Sequence, residues 1–313
     1  MAKIYVLHEN EAWVAPLTKA LDELQLDYEH WFLNEGLVPL HEAPPEGIFY
    51  NRIGASAHLR GNPHAPELTG VVLGWLERYN RRVVNSGRAL AMELSKTTQS
   101  AALEALDILT PRTIPAVGRN YVLQAARSFA PNPVILKHNR GGKGHSVHRF
   151  DTSEEVEAYL NGPGYEAPVD GVWLVQEYIQ SPENYILRCE FVGGRFIYAM
   201  RVDTTEGFAL CPADVCPLRT GSNKYRITHE LDGSPIVASY EQFLAQNNID
   251  IASIELIRGQ DGRLYTYDVN TNTNYNEQAE LEAGLHQTGM QAVARYLGSA
   301  LSTSQPLTRA AVA

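Results

Sequence analysis

The pattern of predicted elements changes once along the chain, and this change limits the folds that are open to it. Up to about residue 88, short apolar strands alternate with amphipathic helices, which is typical of a parallel sheet covered on both faces. From Tyr185 onward, β-rich runs flank tight turns, which predicts antiparallel hairpins. The sequence therefore predicts an α/β fold with α+β lobes, and a length of 313 residues allows more than one domain.

The first part of the chain, residues 1–88, is predicted to form a small α/β domain. Apolar residues recur there at strand or helix spacing, with charged residues between them on the helices. The strands are predicted at 4–7, 28–33, 48–53 and 82–85, and the helices at 13–24 and 65–79. Because strands and helices alternate, the strands are predicted to be parallel.

Residues 89–179 and 180–301 are predicted to form two further lobes, followed by a flexible tail at 302–313. An alanine-rich stretch predicts one long helix over 89–106, and a second helix is predicted to close the fold over 279–301. The other predicted elements are strands at 113–117, 134–138, 146–150 and 172–179, helices at 120–129 and 152–160, and hairpin strands at 185–192, 195–203, 254–257 and 264–269.

The composition argues against several partners and locations. The 36 acidic side chains outnumber the 26 Lys and Arg side chains, and the net charge of −10 disfavours nucleic acid and anionic membranes. The chain lacks the run of about 18 apolar residues that a membrane span needs, and its first apolar run is too short for a signal peptide. Three cysteines, Cys189, Cys211 and Cys216, cannot all pair with one another. They favour reduced thiols in a cytoplasmic protein, and the lone C-x4-C spacing argues against zinc.

A stretch rich in glycine and lysine follows the strand predicted at 134–138. Glycines let the backbone approach a ligand closely and point N–H groups at phosphate oxygens, and lysines add positive charge. A hairpin tip with surface lysines explains the stretch equally well, because it matches neither a Walker loop nor a dinucleotide fingerprint. The residues concerned are Lys137, Gly141, Gly142, Lys143, Gly144 and Ser146.

The last predicted hairpin brings two acids together. With Asp261 and Gly262 as its two turn residues, Glu255 pairs directly with Asp268, and Asn270 projects from the same face. Paired side chains lie roughly 5 Å apart, and like charges there repel each other. A Mg²⁺ ion removes this repulsion, and it prefers such oxygen ligands when phosphates complete its shell. The alternative is that a longer loop shifts the register and that both acids are solvated.

The hairpin around Gly193 and Gly194 predicts an arginine pair by the same reasoning. Two turn residues place Arg188 opposite Ala199, so that Arg201 is a diagonal neighbour of Arg188 on one face. Two guanidinium groups side by side suit a phosphoryl group, although Glu190 on the same face could neutralise them as a structural ion pair. Together with the lysines and acids, these residues are the parts of a phosphoryl-transfer site.

The order of these parts resembles the ATP-grasp superfamily, and within it the RimK-like α-L-glutamate ligases. The resemblance covers about residues 85–300 and, more loosely, the N-terminal part. It implies an ATP-grasp fold with an N-terminal parallel-sheet domain and two ATP-binding lobes. The motifs that carry it are the run 134–147, Val-Gln-Glu-Tyr-Ile at 175–179, Leu-Arg-Cys-Glu at 187–190, Glu255, and Asp-Val-Asn at 268–270.

The resemblance implies a role in ATP binding for several residues. Lys96 and Lys137 would contact the phosphates, and the loop 141–146 would close over them. Glu183 would bind the ribose hydroxyls. The backbone of a hinge segment would read the adenine edge, and this segment consists of Gln176, Glu177, Tyr178 and Ile179.

The resemblance also implies a metal site and a phosphate clamp. Glu255, Asp268 and Asn270 would hold one or two Mg²⁺ ions, with Mn²⁺ as an alternative. Arg201, together with Arg188, would stabilise the transferred phosphate. The chain departs from the family in using Glu at 255 where Asp is expected and Asp at 268 where Glu is usual. It also departs in the run Thr-Asn-Thr-Asn-Tyr at 271–275, so substrate identity stays open.

The implied function is an ATP-dependent carboxylate–amine ligase that forms an amide through an acyl phosphate. The expected substrate is an amino acid or peptide, and a protein acceptor and a homo-oligomer are compatible with the sequence. Arg52 and Ser56 follow a predicted strand and are candidates for binding a substrate carboxylate, with an ordinary surface arginine as the alternative. The competing functions are a carboxylate–thiol ligase, an acyl kinase and a catalytically silent nucleotide-binding regulator.

Overall fold

The computed structural model describes residues 2–142, 144–205 and 224–304 of the chain. The predictions for Lys143, Cys211 and Cys216 fall outside these ranges. None of the helices in the described residues is both long and apolar enough to cross a membrane.

The N-terminal part forms a four-stranded parallel sheet, as predicted. Its order β2-β1-β3-β4 places β1 and β3 in the buried centre. Because parallel strands end at one edge, the residues that follow β1 and β3 lie near each other, and they include Asn10 and Arg52. The elements are β1 (Lys3–His8), α1 (Glu11–Glu23), β2 (Tyr28–Phe32), β3 (Gly47–Asn51), a 3₁₀ turn (Ala57–Arg60), α2 (Ala65–Arg78) and β4 (Arg82–Val84).

A helix break separates this sheet from the next. The prediction of one helix over 89–106 is wrong, because the structure has α3 (Gly87–Leu94) and α4 (Lys96–Glu104). Ser95 between them has an extended backbone, and its Oγ accepts a hydrogen bond from the Thr98 N–H at 3.2 Å. Serine is a favoured N-cap because it satisfies such a free N–H. The break leaves Lys96 at the start of α4.

The middle lobe contains an antiparallel sheet in the order β5-β8-β6-β7. Its central strand β6 is buried along its whole length, and the glycine-rich loop connects β6 to β7. The helix predicted over 152–160 is present, and Thr152 caps its start, since its Oγ1 accepts a hydrogen bond from the Glu155 N–H at 3.2 Å. The elements are β5 (Thr113–Ala116), α5 (Arg119–Arg127), β6 (Val134–His138), β7 (Val147–Phe150), α6 (Ser153–Asn161) and β8 (Trp173–Glu177).

The C-terminal part contains a five-stranded antiparallel sheet in the order β11-β10-β9-β12-β13. The two predicted hairpins are present, whereas β11 and α7 were not predicted. The prediction of one closing helix over 279–301 is wrong, because a break around Gly284, which has a φ of +70°, divides this stretch into two helices. Residues 302–304, expected in the tail, are helical. The elements are β9 (Tyr185–Val192), β10 (Arg195–Asp203), β11 (Tyr225–Thr228), α7 (Pro235–Gln246), β12 (Ile251–Arg258), β13 (Leu264–Asn270), α8 (Glu277–Glu282) and α9 (Gly289–Ser304).

The largest apolar cluster joins both ends of the chain. Helix α9 packs against α1, β1 and β3, so it covers the N-terminal sheet although it ends the described chain. Side chains of β9, β10 and β12 complete the same cluster. The division into residues 1–88, 89–179 and 180–301 stays a prediction. Among the buried members of the cluster are Ile4, Val6, Val14, Leu17, Leu21, Tyr50, Ile186, Met200, Ile251, Met290, Val293 and Leu297.

Candidate active site

A cavity of about 500 Å³ is lined by residues of the middle and C-terminal sheets and by residues that follow β1 and β3 of the N-terminal sheet. Most of the predicted site residues contribute to its wall. Arg52, Ser146 and Arg201 do not line it. Those that do are Ser56, Lys96, Lys137, Gly141, Gly142, Gly144, Gln176, Glu177, Tyr178, Ile179, Glu183, Arg188, Glu255, Asp268 and Asn270.

The predicted pairing of Glu255 with Asp268 is confirmed. Glu255 also pairs with Arg188 of β9, so that three charged residues form one row across β9, β12 and β13. Burial raises the pKa of Glu255. Burial alone would also raise the pKa of Asp268, but the ammonium groups of Lys96 and Lys137 hold it below its usual value. Asp268 is therefore the more readily ionised of the two acids.

The guanidinium group of Arg188 binds three side chains at the floor of the cavity. Its Nε donates to Glu190 at 2.6 Å, its Nη1 to Glu255 at 2.8 Å and its Nη2 to Thr273 at 2.6 Å. Burial raises the pKa of Glu190 to about 7 despite the neighbouring arginine. Arg188 thus holds Glu255 in place, and two of the five guanidinium N–H groups are left over from these three bonds.

Two lysines place positive charge beside the acids. The Nζ of Lys96 forms an ion pair with Asp268, and its backbone N–H donates to the Asn139 carbonyl at 3.3 Å, at the end of β6. Lys137 on β6 is buried, and its Nζ lies 5.9 Å from the centre of the Tyr267 ring. Burial, reinforced by the charge of Lys96, lowers the pKa of Lys137 to about 8. Such a lysine gains a favourable partner when a phosphate enters.

The glycine-rich loop reaches from β6 to the N-terminal sheet. A side chain at Gly142 would contact Ser56 at 3.5 Å, and Gly144 has a φ of +70° that favours glycine. Ser146 faces away from the cavity, and its Oγ donates to Glu166 at 3.2 Å. The loop therefore lies over the cavity between the middle lobe and the N-terminal part, where it can shield a ligand from water.

The predicted hinge forms the opposite wall. β8 ends at Glu177, whose N–H donates to the Arg112 carbonyl at 2.8 Å, while the Tyr178 N–H donates to the Pro133 carbonyl at 3.3 Å. Apolar side chains line the cavity beside the hinge, as is usual in pockets that bind small molecules. They include Ile135, Val147, Ile179, Ile186 and Ile257.

The predicted arginine pair is wrong. Arg188 pairs with Met200 rather than with Ala199, because a bulge at Ile197 shifts the register of the β9–β10 hairpin by one residue. A shift of one residue moves a side chain to the other face of a sheet. Arg201 therefore lies on the opposite face from Arg188. There it donates to Glu230 at 2.7 Å, with 41% of its side chain exposed.

Arg52 is not the surface arginine that the sequence allowed. It is 1% exposed, and it lies behind the cavity wall. Its Nε donates to Asn272 at 3.0 Å and its Nη2 to Asn274 at 2.6 Å. Ser56 does line the cavity, and its Oγ accepts a hydrogen bond from Arg60 Nη1 at 2.9 Å.

Sequence reasoning missed Glu93, which joins two loops beside the cavity, those that follow β3 and β13. Its carboxylate accepts hydrogen bonds from the N–H groups of Thr271 at 2.7 Å, Ala55 at 3.2 Å and Asn272 at 3.3 Å. Burial raises its pKa above the usual value. A lone acid in a helical stretch has the same pattern as a solvated charge, so the sequence carried no signal for it. The polar run 271–275 was visible in the sequence, but its contacts were not.

The acids present fit a Mg²⁺ ion that shares its ligands with a nucleotide. Among the described residues, no group of three or more His, Cys, Asp or Glu side chains is placed to hold a metal. The cavity instead offers two carboxylates and the amide of Asn270, an incomplete oxygen set. Mg²⁺ is usually held by one or two carboxylates, with waters and substrate phosphates completing its shell. The donor set therefore fits such an ion only together with phosphates.

The fold is an ATP-grasp fold. A RimK domain ATP-grasp protein from Sphaerobacter thermophilus superposes with a TM-score of 0.65 at 17% identity, over 94% of this chain and 99% of its own. D-cycloserine synthetase DcsG superposes with a TM-score of 0.67 at 16% identity, over 95% and 99% of the two chains. D-alanyl-alanine synthetase A from Vibrio cholerae gives 0.63 at 14% identity, over 96% and 99%.

The sequence comparisons define the family more closely. The model of the RimK-like ATP-grasp domain matches residues 95–286, so the chain belongs to the RimK-like ATP-grasp family. A "probable alpha-L-glutamate ligase" from Teredinibacter turnerae is 30% identical over 157 residues, 50% of this chain and 48% of the relative. One from Vibrio vulnificus is 26% identical over 167 residues, 53% and 52% of the two chains. The match thus spans about half the length of these curated relatives.

Proposed function

We propose that this protein is an ATP-dependent carboxylate–amine ligase that forms an amide or peptide bond through an acyl phosphate. The observation that carries the proposal is the arrangement of one cavity. It combines a hinge flanked by apolar side chains, the lysines Lys96 and Lys137, a glycine-rich loop and the facing acids Glu255 and Asp268. Family membership and relatives that are named ligases support the same reaction class.

Each part of the cavity has a chemical task in this reaction. The hinge at 176–179 binds adenine, and Glu183 binds the ribose. Lys96 and Lys137 neutralise the phosphates of ATP, since positioning and charge neutralisation dominate phosphoryl transfer. Glu255, Asp268 and Asn270 hold Mg²⁺, which supplies Lewis-acid polarisation of the phosphates when it is bound.

The glycine-rich loop protects the activated substrate. An acyl phosphate hydrolyses when water reaches it, and a closed loop excludes water until an amine attacks. The loop already approaches Ser56 of the N-terminal part. The substrate therefore binds between the loop and the residues that follow β1, β3 and β13.

Release of ADP from ATP and Mg²⁺, measured with pairs of amino acids and short peptides, tests the proposal. We expect ADP formation that depends on both an acid and an amine and that equals the amide formed. Hydroxylamine should trap the acyl phosphate as a hydroxamate.

The other functions predict different results in the same assay. An acyl kinase would release ADP with an acid alone, and a thiol ligase would require a thiol in place of the amine. If no donor and acceptor pair stimulates ADP release although ATP binds, the silent nucleotide-binding module becomes the better description.

A further inference from the structure

Arg52 differs from the other buried arginines in having no acidic partner. Arg188 pairs with two glutamates, and Arg140 pairs with Glu67 at 2.8 Å. Among the described residues, no carboxylate lies within 4.0 Å of the Arg52 guanidinium group, which donates hydrogen bonds to two asparagine side chains and to the Trp13 carbonyl. A buried charge without a counter-charge is costly. Its presence beside a ligand cavity indicates that the ligand supplies negative charge.

Asn272 connects Arg52 to the cavity. Its Oδ1 accepts hydrogen bonds from Arg52 Nε at 3.0 Å and from Trp13 Nε1 at 3.1 Å. Both donors are N–H groups that cannot accept, so the atom that they meet is the oxygen of the amide. This chemistry fixes the orientation of the Asn272 side chain.

The nitrogen of the same Asn272 amide can donate a hydrogen bond to a ligand. Asn272 Nδ2 donates no hydrogen bond within the described part of the chain. A Cβ placed on Gly54 would lie 3.0 Å from this nitrogen, and both Gly54 and Asn272 line the cavity. An amide whose oxygen receives a guanidinium group is polarised, and its N–H₂ group becomes a stronger donor. The cavity thus presents a pre-oriented donor with a positive charge behind it.

We infer that Asn272 is a specificity-determining residue whose Nδ2 donates to a carboxylate of the substrate, and that Arg52 and Trp13 are the positioning residues that orient it. This inference rests on the proposed function and names its substrate class. Asn272 faces the N-terminal part through its contacts with Arg52 and Trp13, and the proposal assigns to it a carboxylate other than the one that is activated. The substrate bound there is an amino acid or peptide with a free, unreacting carboxylate.

Calorimetric binding of amino acids and of their α-carboxamides, with Mg²⁺ and ADP present, tests this inference without turnover. We expect the wild-type protein to bind at least one amino acid about tenfold or more tightly than its carboxamide, as hydrogen bonds to charged groups require. In Asn272→Asp, one oxygen of the new carboxylate still accepts hydrogen bonds from Arg52 and Trp13. The other oxygen repels the carboxylate of an amino acid ligand and accepts a hydrogen bond from the amide of a carboxamide ligand. The preference should therefore disappear or reverse.

Two further variants separate positioning from folding. Trp13→Phe removes one of the two donors that orient Asn272 and leaves the Asn272 amide itself in place. It should weaken the binding of the amino acid severalfold and weaken the binding of the carboxamide less. Asn161→Asp adds the same charge at the exposed end of α6 and should change neither affinity. The unfolding midpoint of each variant shows whether the fold survives.

The outcomes distinguish this site from the proposed reaction. Equal affinity of the wild-type protein for acid and carboxamide, no binding of any probe, or an unchanged preference in Asn272→Asp would each overturn the inference, even if ligase turnover is found. A preference for acids that Asn272→Asp abolishes would support the site, even if no pair of substrates releases ADP.

Discussion

The two hairpins of the C-terminal sheet give opposite results for the same kind of register argument. In β9–β10 the two-residue turn at Gly193 and Gly194 is present as expected, with φ values of +62° and +70°. One bulge at Ile197 then moves every later pair by one position. In β12–β13 the turn itself differs from the expectation, yet Glu255 still faces Asp268.

The second hairpin keeps the expected pair because two deviations cancel. Gly259 donates to the Arg263 carbonyl at 2.9 Å, so the loop has three residues, 260–262, rather than two. This shifts the register by one residue, and a bulge at Tyr267 shifts it back. A register read from a turn is therefore reliable only when the irregularities between turn and site are known. The two hairpins therefore make different predictions: Asp268 lies in the cavity as expected, whereas Arg201 lies on the opposite face from Arg188. Substitutions at these residues test both placements.

The largest expected effect is the loss of turnover when Asp268 is substituted, since the second hairpin places this residue in the cavity. Asp268→Asn removes the charge that pairs with Lys96 and that would bind Mg²⁺. We expect turnover to fall by about a thousandfold, as for loss of a central electrostatic group, with nucleotide binding and the fold largely kept. Steady-state ADP release measures it. Asp261→Asn, in the exposed turn of the same hairpin, is the matched control. Unchanged turnover in Asp268→Asn would refute the metal assignment.

The next prediction compares the loss of stability caused by substituting each of the two arginines of the first hairpin, Arg188 and Arg201. Arg188→Ala leaves Glu190 and Glu255 buried without their partner, which typically costs about 3–5 kcal/mol. Denaturant unfolding of the variant should show a loss of that order in the free energy of unfolding.

Arg201→Ala is the partner experiment. Its ion pair with Glu230 is partly exposed, and ion pairs that solvent reaches contribute about 0–1 kcal/mol. Equal destabilisation by the two substitutions would contradict the bulge at Ile197. A large loss of turnover in Arg201→Ala would restore the phosphate-binding role that the family resemblance implies.

A further effect, which depends on pH, concerns Lys137, whose Nζ faces the ring of the bulged residue Tyr267. Its pKa is lowered to about 8, so the ammonium form is complete below pH 7 and is lost as the pH rises above 8. ADP affinity should fall by up to about tenfold per pH unit above 8. Calorimetry between pH 6.5 and 9.5 measures the effect. Lys137→Arg stays charged and should lose this pH dependence, and a parallel decline in both proteins would exclude Lys137 as its source.

Much of the fold was predictable because local patterns determine it. The alternation of strands and helices gave the parallel sheet, and the turn residues gave both hairpins. The helix breaks at Ser95 and Gly284 were not predictable from apolar spacing, because single capping residues produce them. Helix α7 could have been predicted, because Val237, Tyr240, Phe243 and Leu244 recur at helical spacing, whereas the four residues of strand β11 are too few for a pattern.

The site was predictable where it depends on backbone order, and not where it depends on distant contacts. The acids, lysines, loop and hinge follow from motifs in sequence order. The contacts of Arg52 with Asn272 and Asn274 join positions more than 200 residues apart, so no local pattern reports them. The contacts of Glu93 with Thr271 and Asn272 span 178 and 179 residues, so no local pattern reports them either.

The packing of α9 on the N-terminal sheet has a consequence for how the protein is made. Ribosomes release a chain from its N-terminus, and domains generally fold as they emerge. Here the apolar faces of α1, β1 and β3 are covered only after residues 289–304 have left the exit tunnel. The first part of the chain therefore reaches its final packing late, and until then part of its apolar surface is exposed to aggregation.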